Sequence, residues 1–320
     1  MLVVLLIGAA VVALVCLVVF VGVARARARR LGRASATRAD ADSTRAEPSR
    51  SSAPLPLPPG SDEAAPAQAR ATKYPVVLVH GLLGFDELSV AGTHWPYFRD
   101  VPEQLRAAGA EVHVVRISSV AGVAVRAREL AATIRALDAP RVNVVAHSMG
   151  GLDARFAVST FGLADRVASV ITIGTPHRGT PLADAGVQWL ERSAFLARRL
   201  GVGRDRDVTV QFEAVRDLST ARMEAFNRFV PDVAGVFYGS CVAIARGGAR
   251  GVSAALLPTV LFLARHGEDS DGLVPAASQR WGEVLAEIDV DHWGQTGWSS
   301  RFDAGAFYRH LLQLLAARGL

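Results

Sequence analysis

The sequence predicts an α/β fold, with a mostly parallel sheet flanked by helices and a long helical excursion late in the chain. Three observations carry this. Short apolar runs recur, unbroken in Val76-Val77-Leu78-Val79 and broken only by Asn143 in Val142 to Ala146, and such runs suit strands covered on both faces. Stretches of helical spacing separate them, which makes βαβ units. Between residues 178 and 257 the regular alternation stops.

Order is expected to begin near Lys73. Pro75 to His80 reads as the first strand, bounded by Pro and by the turn Gly81-Leu82-Leu83-Gly84. Pro96 to Ala108 has helical spacing, with Phe98, Val101 and Leu105 on one face and Gly109 ending it. Val112 to Ile117 is the second strand and Val125 to Leu137 the second helix. Val142 to Ala146 is the third strand. The helix after it carries Leu152, Phe156 and Val158 and closes at Gly162. Val167 to Ile173 is the fourth strand, ending in Gly174-Thr175-Pro176. Residues 178–257 read as a lid-like insertion with scattered large apolar residues, among them Phe226, Phe229 and Phe237; a helical subdomain with its own small core is the other reading. Pro258 to Ala264 reads as a buried strand, Val284 to Val290 as a weaker last strand, and Ala304 to Ala316 as a closing amphipathic helix.

The 320 residues suffice for one large domain plus extensions. Residues 1–24 carry no charged side chain. A helix over Leu2 to Val23 would rise about 33 Å, enough to span a bilayer. No Lys or Arg precedes the run and arginines follow it at once, which favours an uncleaved transmembrane anchor over a signal peptide. Arg25, Arg27, Arg29, Arg30 and Arg33 would hold that flank in the cytoplasm. Residues 25–72 turn basic and then rich in Ala, Pro and Ser, a composition that reads as a disordered tether.

The net charge of +5 is mostly a property of this tail. Residues 71–320 hold 26 basic and 25 acidic side chains, so a nucleic-acid partner has no basic stripe to support it. The two cysteines, Cys16 and Cys241, are too differently placed to form a disulfide framework.

The chemistry centres on Ala146-His147-Ser148-Met149-Gly150-Gly151. An apolar strand running into a serine flanked by small residues, with a helix following, is what a nucleophile elbow requires. Ala146 departs by one methyl from the glycine usual two places before the serine. The following helix aims its free N–H groups and positive dipole end at a developing oxyanion. A serine nucleophile needs a base, and the base an orienting acid. Of the eight histidines, only His266, His292 and His310 lie beyond the insertion. His310 sits in a predicted helix and His266 precedes most acids of its own loop, which leaves His292. The acid comes from Glu268, Asp269 or Asp271, and Asp271 is favoured because Gly272-Leu273-Val274-Pro275 turns sharply after it. The backbone N–H groups of Met149 and of Leu82, next to Gly81, are the candidate oxyanion donors. His80 and His147 flank the site and read as structural.

Taken together, Tyr74 to Leu82, Ala146 to Leu152, Gly174-Thr175-Pro176-His177-Arg178-Gly179, Asp271 to Pro275 and Asp291-His292 resemble the bacterial triacylglycerol lipases. The resemblance implies an α/β-hydrolase fold and carboxylic ester hydrolysis, with Ser148, Asp271 and His292 as triad and Leu82 and Met149 as oxyanion donors. It predicts a lipid or other apolar ester as substrate and no cofactor. A phospholipase or acyltransferase would use the same triad. A membrane-tethered, non-catalytic binding protein is the rival from another class. Two features depart from many of the similar lipases. Cys241 alone cannot make their disulfide. Where they place a calcium-binding Asp two residues past the catalytic His, this chain has Gly294, so no metal is expected.

Overall fold

A computed structural model describes residues 72–82, 87–90, 93–199, 213–246 and 251–320. The expected anchor at 1–24 and the tether at 25–72, apart from Thr72, lie outside them. Among the described residues no helix is long and apolar enough to cross a membrane. Lys73 N–H donates to the Leu320 carbonyl at 2.7 Å.

Six strands form the main sheet: β1 (Val76–Val79), β4 (Val112–Val114), β5 (Val142–His147), β6 (Val167–Ile173), β7 (Phe237–Ala243) and β8 (Glu283–Ile288). A separate antiparallel hairpin pairs β2 (Glu87–Val90) with β3 (Thr93–Pro96). The sheet order is β4-β1-β5-β6-β7-β8, and every pairing in it is parallel. Parallel neighbours need crossovers, which helices supply, among them α1 (Val101–Ala107), α2 (Val123–Ala136) and α3 (Gly150–Thr160); α9 (Ala304–Ala317) follows the last strand and packs on the sheet.

The apolar runs are explained by burial on both faces. Val77, Val79, Val144 and Ala146 pack into one layer with Leu130, Ile134 and Ala157 of α2 and α3. Val76, Leu78, Val145 and Ile171 pack into the other with Leu105 of α1 and Tyr308 and Leu311 of α9. Cys241 is fully buried in β7, and burial pushes its thiol up to about 12.

Three expectations need correction. Pro258 to Ala264 is not a strand but part of helix α7 (Leu257–Arg265). An apolar run of seven residues fits either element, and here the helical spacing decides: Leu256 and Leu263 are buried, Val260 lies on their side against Gly272, and Pro258 sits in the first turn, where its missing N–H costs nothing. The strand that precedes the acid loop is instead β7, inside the stretch read as one insertion. That stretch is therefore two excursions. Helices α4 (Pro181–Arg199), α5 (Glu213–Asp217) and α6 (Thr220–Phe229) come before β7, and a 3₁₀ turn (Ala254–Leu256) leads into α7 after it. A last short helix, α8 (Ala276–Gln279), precedes β8. The expected helix from Pro96 is also shorter, because Pro96 ends β3 and α1 begins only at Val101.

Candidate active site

Strand order reverses between β1 and β5, since the chain goes from β1 outward to β4 and returns to add β5 on the other side. A crevice opens at the carboxyl ends of strands at such a point. Gly81 follows β1 there and Ser148 follows β5.

Ser148 has φ 56°, a left-handed backbone rare for a residue with a side chain. Its conformation is held from both directions: its N–H donates to the Ile173 carbonyl at 2.9 Å, and Thr175 Oγ1 donates to its carbonyl at 2.7 Å. The small neighbours are required by contact. A Cβ at Gly150 would lie 2.7 Å from the His80 carbonyl oxygen, and one at Gly151 would lie 2.3 Å from Thr175 Oγ1. The extra methyl of Ala146 meets no such limit, because it packs in the core between sheet and helices.

His292 Nε2 lies 3.0 Å from Ser148 Oγ, and His292 Nδ1 lies 2.7 Å from Asp271 Oδ2. The three sequence-predicted residues are thus brought into one chain. Asp271 is fully buried; its Oδ1 accepts the N–H groups of Leu273 and Val274, which leaves Oδ2 for the imidazole. Asp269, its rival, is exposed. His266 is exposed at the end of α7, with its Nδ1 donating to the Phe262 carbonyl, and His310 is exposed on α9. Neither joins the site.

The turn after β1 runs directly against the serine: a Cβ on Gly81 would fall 2.7 Å from Ser148 Cβ. Two successive peptide planes of this turn are clamped. Arg126 Nη2 donates to the His80 carbonyl at 2.7 Å, and the Gly81 N–H of that same peptide donates to Tyr97 Oη at 3.1 Å. His80 Nδ1 donates to the Gly81 carbonyl at 2.9 Å. In a trans peptide the following N–H, that of Leu82, then points the opposite way. Met149, the other expected donor, is fully buried and caps the start of α3.

The match to known proteins agrees with this geometry. Residues 76–314 match the model of the alpha/beta hydrolase family. The chain belongs to that family. Among this hydrolase's relatives is a triacylglycerol lipase of Vibrio cholerae, 30% identical over 251 residues, covering 68% of this chain and 77% of the relative. Another from Pseudomonas fragi is 30% identical over 265 residues, covering 69% and 87%. The crystal structure of Bacillus licheniformis lipase BlEst2 in mature form superposes with a TM-score of 0.58 at 24% identity, over 76% of this hydrolase and 92% of that chain; it speaks to the fold alone.

Sequence reasoning missed three side chains at the site. Gln295 is fully buried and donates from Nε2 to Asp271 Oδ2 at 2.8 Å. Tyr97 reaches the Gly81 turn, as above. Arg126 is fully buried and paired with Asp153 of α3 at 2.7 Å. Gln295 and Tyr97 lie in no motif. Arg126 follows an apolar helical face and would be read as solvated.

The residues near His292 do not fit calcium. A side chain at Gly294 has no room, since a Cβ there would lie 2.4 Å from Val290 Cγ2. The carboxylate of Asp291 is committed elsewhere: Oδ2 accepts both the N–H and the hydroxyl of Ser253 at 2.6 Å, and Oδ1 accepts the Gly294 N–H at 2.7 Å. Asp291 thereby ties the His292 loop to the segment before α7 by hydrogen bonds alone. Trp298 adds a second tie, donating from Nε1 to the Tyr97 carbonyl at 3.1 Å. Two outcomes follow. EDTA should leave activity and melting temperature unchanged, whereas a fall reversed by added calcium would contradict this reading of the loop. Ser253→Ala, which strips a charge-assisted bond from a buried carboxylate, should destabilise by about 1–3 kcal/mol in denaturant unfolding.

Proposed function

We propose that the protein is a serine hydrolase that cleaves carboxylic esters of lipids through an acyl-enzyme. The observation that carries the reading is the continuous chain Ser148 Oγ–His292 Nε2, His292 Nδ1–Asp271 Oδ2, at 3.0 and 2.7 Å. Asp271 holds the proton on Nδ1, so Nε2 presents a lone pair to the serine hydroxyl. Ser148 Oγ attacks the ester carbonyl as His292 takes its proton. The oxyanion is received by the N–H groups of Met149 and Leu82. His292 then protonates the departing alcohol, and an acyl group remains on Ser148. A water, deprotonated by the same His292, attacks that acyl group and releases the acid.

Support for a lipid substrate comes from the named activity of the two relatives and from apolar side chains left in solvent on the two excursions. Phe229 at the end of α6 is 80% exposed and Leu261 on α7 is 53% exposed. Residues 2–23 serve in this reading as a membrane tether that keeps the enzyme at its substrate, and residues 178–257 contain the elements able to cover the site.

Two assays test the proposal. p-Nitrophenyl esters of long acyl chains should be turned over in preference to short ones, and methanol should divert the acyl group to methyl ester; activity confined to acetyl esters would overturn the lipid assignment. The full chain should partition with membranes and a version lacking residues 1–70 with the soluble fraction, at equal kcat. A full chain recovered in the soluble fraction would remove the tether.

A further inference from the structure

The acid of the triad and the oxyanion turn come from distant parts of the chain, yet a single line of hydrogen bonds connects them. Asp271 Oδ2 accepts from Gln295 Nε2 at 2.8 Å. Gln295 Oε1 lies 3.1 Å from His147 Nε2. His147 Nδ1 lies 2.7 Å from Tyr97 Oη. Tyr97 Oη accepts the Gly81 N–H at 3.1 Å. We propose that Gln295, His147 and Tyr97 are positioning residues that lock the Asp271 carboxylate and the Gly81–Leu82 turn into one unit, so that base orientation and oxyanion binding are set together.

The direction of the bonds supports this. A carboxylate only accepts, so the Gln295 amide turns its N–H₂ to Asp271 and its oxygen to His147. That oxygen requires a proton on His147 Nε2. Nδ1 then carries a lone pair and accepts the Tyr97 hydroxyl, whose oxygen is free to accept the Gly81 N–H. Every donor in the line points toward the buried negative charge, the arrangement in which each bond polarises and strengthens the next. The line works only with a neutral His147, because a proton on Nδ1 removes the lone pair that accepts the Tyr97 hydroxyl. Burial, and next the adjacent His292, hold the His147 imidazole well below the usual histidine range. The two rings are 4.6 Å apart, centroid to centroid, so a neutral His147 also spares the imidazolium that forms on His292 from a like charge. Space for the line is made by Gly174 (φ 59°), where a Cβ would fall 2.2 Å from Gln295 Oε1. The stretch carrying Tyr97 is clasped to the loop carrying Gln295 by the Trp298 bond and by Arg99 N–H donating to the Thr296 carbonyl at 2.9 Å.

This inference rests on the triad reading, and its test separates the two. Tyr97→Phe and Gln295→Met remove opposite ends of the line, and the imidazole of His147 stands between them. Each should lower kcat about tenfold with KM within about twofold, as expected for slight misplacement of the reacting groups. The double variant should also lose about tenfold, since one break already uncouples the unit. Independent structural roles would instead multiply to about a hundredfold, and that result would overturn the relay. Should Gln295→Met not accumulate as folded protein, His147→Phe breaks the line at its centre and supplies the same comparison. Ser148→Ala in the same assay is the control. If it stays active, the triad reading itself fails; if it is inactive while the two losses multiply, the relay alone fails.

Discussion

Ser148→Ala and His292→Ala will each lower ester turnover by more than about 10⁴-fold, and the double variant will be scarcely worse than either. The reason is geometric. Ser148 Oγ is a weak nucleophile unless His292 Nε2, 3.0 Å away, takes its proton as the new bond forms. Without the base the hydroxyl gains little by being well placed, and without the hydroxyl the base has nothing to activate. The activity left would come from the oxyanion N–H groups and substrate binding, which neither change removes. Turnover of a long-chain p-nitrophenyl ester across the two single variants and the double variant reads this out. A double variant that lost the product of the single effects would mean that the residues act separately.

The second large effect is expected at Arg126. Its guanidinium is fully buried and joins three parts of the site's support. It pairs with Asp153 on the elbow helix, donates to the Ser118 carbonyl, and holds the His80 carbonyl in the oxyanion turn. Burial raises the Asp153 carboxyl to about 7, with Arg126 pulling the other way, so desolvation is only partly offset by pairing. Such a pair adds little over a well-packed apolar pair, but removing one partner strands the other. Arg126→Met leaves the buried carboxyl and two carbonyls without their donor, and should cost about 3–5 kcal/mol. For a domain of this size that is a drop of roughly 10 °C in melting temperature. The released His80–Gly81 peptide should lower turnover in the protein that remains folded. A melting temperature within about 2 °C of the parent would show that the ion pair is not a support of the fold.

The sheet was legible because its strands carry their burial in their composition. Val76 to Val79 is apolar at every position and Val167 to Ile173 at all but Ser169 and Thr172, and both form as expected. Ser148 and His292 were legible because few residues of their kind occupy the right places in chain order. The misread strand has a plain physical origin. Pro258 to Ala264 is apolar without alternation, and only tertiary contacts with Gly272 and the core decide between strand and helix. Reading that helix as a strand puts the acid loop after the wrong element, although the sharp turn still points to Asp271, whose carboxylate meets His292. Gln295, Tyr97 and Arg126 were invisible for a different reason. Each acts through a partner more than twenty residues away in the chain, and no local pattern marks a polar side chain that a distant loop will bury.

Intact-protein mass spectrometry with an alkyl fluorophosphonate reads out whether Ser148 is an activated nucleophile. One added phosphonyl group per chain is expected, mapped to the peptide containing Ser148 and lost in His292→Ala. An unlabelled but folded protein, or a label on another residue, would contradict it.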